Sequence, residues 1–255
     1  VFAETLAQAA RGAILPHFRA SPYIDNKAED GFDPVTIADR AAETAMRALI
    51  EKHYPEHGIE GEEFGVKPSQ NGWTWVLDPI DGTRAFIAGL PTWGTLIALN
   101  QDGRPRIGVI DQAYLEERYI GADGAAWSIT RGARQRMQVR ACDHLKHAIL
   151  ATTDQNLFRG AEGGGFEMVR RTAKLTRYGY DCYAYAMLAA GFIDMVIESG
   201  LKAHDVQALV PVIEGAGGMV TNWRGEPAWR GGQVIAASDP RIHEQALVAL
   251  KRAAD

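Results

Sequence analysis

Apolar residues recur through the first eighteen positions, VFAETLAQAARGAILPHF, at the 3.6-residue period of a helix. Phe2, Leu6, Ala9, Ala10, Ala13 and Ile14 share its buried face. Turn formers and charges then dominate SPYIDNKAEDGFDPVTIADR, which predicts a mobile loop returning to order near Asp33-Pro34. From Thr36 a second helix is predicted to about His53, with Ala42, Ala45, Met46, Leu49 and Ile50 inward and Asp39 in its first turns. The period then shortens. TWVLD, WGTLIALN, RPRIGVID, ERYIGA and AAWSI are β-rich runs parted by Gly, Pro and Asp, with QDGR and ADGA as hairpin-like turns. They predict a largely antiparallel sheet beside two helices. Beyond about Arg140 the runs HAILATT, FIDMVIES, GMVTNW and QVIAASD alternate with helical DCYAYAMLAAG and DVQALVPVIEGAG and a closing helix from Pro240. That alternation predicts a βα-layered second half, dividing the chain into 1–140 and 141–255. RGAEGGGF reads as a flexible loop, since no lysine or Ser/Thr follows at phosphate-loop spacing.

Composition narrows the function classes. A chain of 255 residues, 46% apolar, has ample material for a core. The formal charge of -5 and the absence of long like-charge runs argue against a nucleic-acid surface and leave a small molecule as the expected partner. Two cysteines, Cys142 and Cys182, make neither a disulfide framework nor a C-x-x-C pair, which fits a reducing cytoplasm. TLIAL and MLAAGFIDMVI are too short to span a bilayer and read as core, and no targeting segment is expected at the start.

The chemistry-bearing residues are acidic and sit at predicted element ends. Asp78 closes the strand WVLD, Pro79 forbids simple continuation, and Asp81 lies where the turn closes. Two carboxylates brought together there repel unless one is protonated or a cation bridges them. Gly82-Thr83 can open a helix whose first N–H groups favour an anion. Each aspartate alone has an ordinary explanation, Asp81 as a helix cap and Asp78 as a turn residue. Glu62 and Glu63 in IEGEEFG, and Asp205 in LKAHDVQALV, are likewise open to readings as a solvated loop and a cap. Spacing alone does not bring them together. If Glu62, Asp78, Asp81 and Asp205 do meet, the all-oxygen site favours Mg²⁺ over zinc and suits phosphate-ester hydrolysis. One metal would acidify a water and another would neutralise the leaving alkoxide, with Glu62, or Asp39 through Thr83, taking the proton.

GEEFG, WVLDPIDGTRAF and HDVQALVPVIEGAGG, in that order, together with DPVTIAD, resemble the inositol monophosphatase family of Mg²⁺-dependent phosphatases, over about residues 30 to 237. The resemblance implies an α+β fold, the layered α-β-α-β-α sandwich of the sugar phosphatases. It implies two or three Mg²⁺ ions, with Glu62, Asp78 and the Ile80 carbonyl on the first and Asp78, Asp81 and Asp205 on the second. It further implies Gly82 and Thr83 N–H groups on the phosphate, Thr83 with Asp39 activating water, Glu63 supporting the ligands from behind, and a homodimer. Within the family, GTRAFIAGLPTWGTLIAL and the stretch from YGYDCYAYAML to GAGG look most like the branch acting on L-histidinol phosphate. Arg84 and Ala85 stand where inositol enzymes more often read Thr-Asn, and His204 replaces a usual Trp. Glu198 aligns with a substrate contact, and Asp181 stands where inositol enzymes have a small residue. Asp181, Glu198 and Arg84 are therefore the candidate substrate residues, the two acids suiting a cationic leaving group. The ordinary alternatives are that Asp181 caps its helix, that Glu198 pairs with Lys202, and that His204 is a packing residue. Rival readings are an inositol-1-phosphate or sugar-phosphate phosphatase, a 3′-nucleotidase acting on adenosine 3′,5′-bisphosphate, and a non-catalytic Ca²⁺-binding protein.

Overall fold

The computed structural model describes residues 2–20, 24–26 and 34–254; Asp33 and most of the expected loop lie outside the described residues. In chain order the first elements are α1 (Phe2–Ile14), β1 (Ile24–Asn26), β2 (Pro34–Thr36), α2 (Ile37–His53), β3 (Gly58–Gly61), β4 (Gly65–Lys67), β5 (Trp73–Asp81) and α3 (Thr83–Ile87). There follow β6 (Gly94–Gln101), β7 (Arg104–Gln112), β8 (Glu117–Ala122), β9 (Ala125–Thr130) and β10 (Ala133–Arg136). The remainder holds β11 (Ile149–Thr152), α4 (Ala161–Thr172), β12 (Leu175–Tyr178), α5 (Asp181–Ala189), β13 (Met195–Leu201), α6 (Ala203–Val206), α7 (Leu209–Gly215), β14 (Met219–Thr221), β15 (Gly232–Ala237) and α8 (Pro240–Leu250).

An eight-stranded sheet in the order β10-β9-β8-β7-β6-β5-β3-β4 is antiparallel except where β3 runs parallel to β5. A five-stranded sheet, β12-β11-β13-β15-β14, is parallel at β11 and antiparallel from β13 onward. The alternation of side chains along each strand builds the layers. Trp75, Leu77, Ile97, Val109 and Ile120 face α1 and α2, while Val76, Leu96, Ala98 and Ile110 face α5 and α7. In the second sheet Val196, Val220, Val234 and Ala236 meet the same α5–α7 layer, and Met195, Ile197, Ile235 and Ala237 turn toward α4 and α8. The result is the α-β-α-β-α sandwich.

Three readings need correction. The run RGAEGGGF is not a loop, because Ala161–Thr172 is helical. Phe166 and Val169 give it a buried face, packed in one cluster with Ile242, Ala246 and Leu250 of α8. The expected single helix DVQALVPVIEGAG starts earlier, at Ala203, and breaks into α6 and α7. Pro211 has no N–H to give the Gln207 carbonyl one turn back, so the helix is interrupted at that junction. Strands β3, β4, β10 and β12, too short or too polar to show a period, were not legible.

Packing sets where α6 and α7 lie. A Cβ at Gly108 on β7 would overlap the carbonyl of Ala208, and one at Gly121 on β8 would overlap the backbone of Pro211. Glycine at both positions lets the helix backbone rest directly on the sheet. A buried hydrogen bond from the Asn100 amide on β6 to Gln207, whose own amide donates to the Trp229 carbonyl (2.9 Å), fixes the junction sideways.

Candidate active site

Asp78 and Asp81 are three apart, which in an unbroken strand would put them on opposite faces. The structure resolves this with a bulge: Asp78 pairs with Leu96 and Asp81 with Gly94, so three steps on β5 match two on β6. The extra residue restores the parity, and both carboxylates reach one side of the sheet. Pro79 has no N–H to miss, and its carbonyl accepts the Thr95 hydroxyl at 2.7 Å. Gly82 follows at φ 85°, a left-handed conformation that costs glycine nothing, and turns the chain into α3. The Thr83 hydroxyl donates back to the Ile80 carbonyl at 3.1 Å.

α6 brings Asp205 to the same corner. Carboxylate oxygens of Asp78, Asp81 and Asp205 lie within 4.8 Å of one another. Asp205 is held by its own helix start, where Oδ2 accepts the Lys202 N–H at 2.6 Å, and His204 Nε2 lies 3.5 Å from its other oxygen. Asp78 is buried, and its pKa is pushed well up by that burial and then by Glu62, Asp81, Asp205 and Asp39. Glu62, one residue beyond the Gly61–Leu77 register pair of β3 and β5, is the strongest of those charges although it stands outside the three-carboxylate cluster. Burial, then Asp181 and Asp205, raises Asp81, partly offset by hydrogen bonds from Cys182. Asp78 Oδ1 is buried with no hydrogen-bond partner among the described residues. A hard divalent cation satisfies this donor set, since it supplies the missing partner and cancels the repulsion.

Of the other predicted residues, Gly82, Thr83, Arg84, Asp181 and Glu198 line a cavity of about 330 Å³ together with Asp81, whereas Asp39, buried on α2, and Glu63 are not part of its lining. Asp181 lies directly over Gly82, where an added Cβ would come within 3.0 Å of its carboxyl carbon. It does not cap α5, whose cap position is Tyr180 and makes no side-chain capping bond. Its own carboxyl accepts no hydrogen bond among the described residues, and burial followed by Glu198 raises its pKa to about 7, against the pull of Arg84. Glu198 does not pair with Lys202: its oxygens accept the Thr153 N–H at 2.9 Å and the Tyr185 hydroxyl at 2.8 Å. Glu63 contributes its N–H, at 2.7 Å, to Glu43 rather than to the cavity.

Glu43 went unread. It is fully buried on α2, accepts the N–H groups of Glu63 and Phe64 and the Arg47 guanidinium, and so secures the loop that carries Glu62. Gly61 makes room for it, since a Cβ there would overlap its carboxylate. A signal existed in the sequence, for Asp39, Glu43, Met46 and Ile50 follow one another along the buried helix face. Cys182 was also missed, and nothing local marks it.

The model of the inositol monophosphatase family matches residues 1–254. The bifunctional phosphatase IMPL2, chloroplastic, of Arabidopsis thaliana is 46% identical over 97% of this chain and 73% of its own length. A histidinol-phosphatase of Mycobacterium tuberculosis is 33% identical over 89% of this chain and 87% of its own. The solved structure of an inositol monophosphatase from Zymomonas mobilis superposes with a TM-score of 0.87 at 45% identity, covering 97% of this chain and 95% of that one. With the sandwich, the acidic corner and the full-length match in agreement, the chain belongs to the inositol monophosphatase family and is a phosphoric monoester hydrolase.

Proposed function

We propose that the chain is a Mg²⁺-dependent phosphatase acting on L-histidinol phosphate. Asp78, Asp81 and Asp205, with Glu62 and the Ile80 carbonyl, would hold the metal; bound there, Mg²⁺ supplies positive charge to the phosphate oxygens and acidifies a water. The chain's own residues do the positioning. Gly82 and Thr83 offer the leading N–H groups of α3 to the phosphate, and Thr83 with Asp39 orients the water for proton removal by Glu62 or Asp39. Arg84 stands at the mouth of the cavity and holds Asp181 toward its ionised form.

The observation that carries the substrate reading is Asp181. A carboxyl that lines the cavity, packs on the phosphate-side glycine, accepts no hydrogen bond among the described residues and sits beside a buried glutamate makes a wall that favours a positive charge. The ammonium or imidazolium of histidinol would supply a charge-assisted partner, whereas a neutral polyol can offer only hydroxyl donors and no compensating charge. The histidinol-phosphatase among the relatives points the same way. The inositol-monophosphatase neighbour keeps inositol 1-phosphate as the rival substrate. The non-catalytic Ca²⁺ reading falls with the family assignment.

Phosphate release from histidinol phosphate and from inositol 1-phosphate, with and without Mg²⁺, tests chemistry and substrate together. Histidinol phosphate should win in kcat/KM, and both reactions should stop without metal. In Asp181→Asn the KM for histidinol phosphate should rise about tenfold, equivalent to about 1.4 kcal/mol, with little change for an uncharged ester. Equal effects on both substrates would remove the cationic-substrate reading.

A further inference from the structure

Glu198 is held at both carboxylate oxygens, from two separate parts of the fold. Oε1 accepts the Thr153 N–H at 2.9 Å, one residue past β11, and Oε2 accepts the Tyr185 hydroxyl of α5 at 2.8 Å. On its own strand Glu198 is paired with Val234 of β15 at the point where the register shifts toward Leu201. Irregularities of that kind re-aim side chains beside binding sites. The Tyr185 ring packs in the core shared by the two sheets, and its hydroxyl is the one polar atom of its side chain. α5 therefore sets both acids of the cavity: Asp181 opens the helix, and Tyr185, one turn along, reaches Glu198. Burial pushes the Glu198 pKa up, and the bonds from Thr153 and Tyr185 pull it back toward the ionised form.

We propose that Tyr185 is a positioning residue for substrate specificity, its hydroxyl fixing the Glu198 carboxylate so that Glu198 and Asp181 make one anionic wall for the positively charged end of the substrate. The helix that carries one acid thus orients the other, and the spacing of the two charges is built into α5. This deepens the cationic-substrate reading and rests on it. The ordinary alternative is that a buried tyrosine has only found an acceptor for its hydroxyl. In that case losing the hydroxyl costs stability and is blind to the charge of the substrate. Since the Thr153 donor belongs to the backbone, the hydroxyl is the half of the grip that a substitution can remove.

The test is steady-state kinetics at saturating Mg²⁺ on histidinol phosphate and on phenyl phosphate, whose leaving group carries no positive charge, in Tyr185→Phe, Glu198→Gln and the double variant. Thermal unfolding alongside confirms that each is folded at the assay temperature. Tyr185→Phe keeps the ring and removes only the hydroxyl. Its KM for histidinol phosphate should rise about fivefold, the size of one net hydrogen bond, with kcat within about twofold and the KM for phenyl phosphate nearly unchanged. In the Glu198→Gln background the same change should add little further, because the carboxylate it acts through is gone. A KM rise shared equally by both esters, or one that persists undiminished in Glu198→Gln, would overturn the proposal. So would a native KM in Tyr185→Phe beside a Glu198→Gln enzyme whose KM is raised for histidinol phosphate alone. If Glu198→Gln itself leaves both KM values native, the failure lies in the cationic-substrate reading, and the positioning role falls with it.

Discussion

The side chains of the acidic corner are stable partners only in pairs with something not carried by the chain. Asp78 illustrates the conflict: burial and four neighbouring carboxylates push its pKa up, and one of its oxygens has no partner among the described residues. Without metal, ionising it weakens the fold, which is the expected trade between a functional site and stability. Asp78→Asn should therefore raise the melting temperature of the metal-free protein by a few degrees, since about 1 kcal/mol moves it about 2–4 °C at this chain size. The same substitution should abolish the further rise expected when Mg²⁺ is added to the native chain and cut kcat by at least about a hundredfold. Unfolding curves in EDTA and in Mg²⁺ separate the two effects. A metal-free variant less stable than the native chain would contradict the repulsion.

At the level of elements, the site depends on how closely α7 lies on the first sheet. Asp205 sits at the front of that helical unit, and its reach to β5 is fixed by the glycines of β7 and β8 and by the Asn100–Gln207 bond. Gly121→Ala should lift α7 off the sheet, costing about 3 kcal/mol as overpacking against backbone. Mg²⁺ affinity should fall with it, although Gly121 touches no ligand. A variant that loses stability and retains normal metal binding would mean that Asp205 is placed by α6 alone. Legibility varied at this scale in the same physical way. The long strands and α1, α2 and α8 showed their periods plainly, while β4 and β12 have too few alternations to register. The glycines of α4 masked its period because they add no apolar side chain to the pattern, leaving Phe166 and Val169 to carry its buried face.

Across the whole molecule, two sheets share one helical layer, and ionisable groups buried far from the site help set its tolerance of acid. His243 on α8 is buried against β14, its Nε2 2.7 Å from the Thr221 hydroxyl, and burial lowers its pKa. A ring kept neutral in the fold binds its proton more readily when unfolded. Its contribution to stability is therefore full above about pH 6.5 and is lost as pH falls below that value. The difference in melting temperature between the native chain and His243→Gln should change between about pH 7.5 and 5.5, the native chain losing ground toward acid. A difference independent of pH would show that His243 titrates alike in the folded and unfolded states. No described helix is long and apolar enough to cross a membrane.

What the sequence by itself determined was local: the helical and strand periods and the oxygen chemistry announced by the D-P-I-D-G-T run, whereas the turn expected at Pro79 is a bulge within a strand that runs on to Asp81. These follow from backbone stereochemistry and from residue type, and each is written within a few consecutive positions. What only the tertiary structure decided was contact across distance. A one-residue bulge puts Asp78 and Asp81 on the same face, glycines on β7 and β8 let Asp205 arrive, Glu43 secures the Glu62 loop, and the Cys182 N–H grips Asp81. Apart from the place of Glu43 on the buried face of α2, none of these has a local signature, because the energy of each depends on a neighbour supplied by another part of the fold.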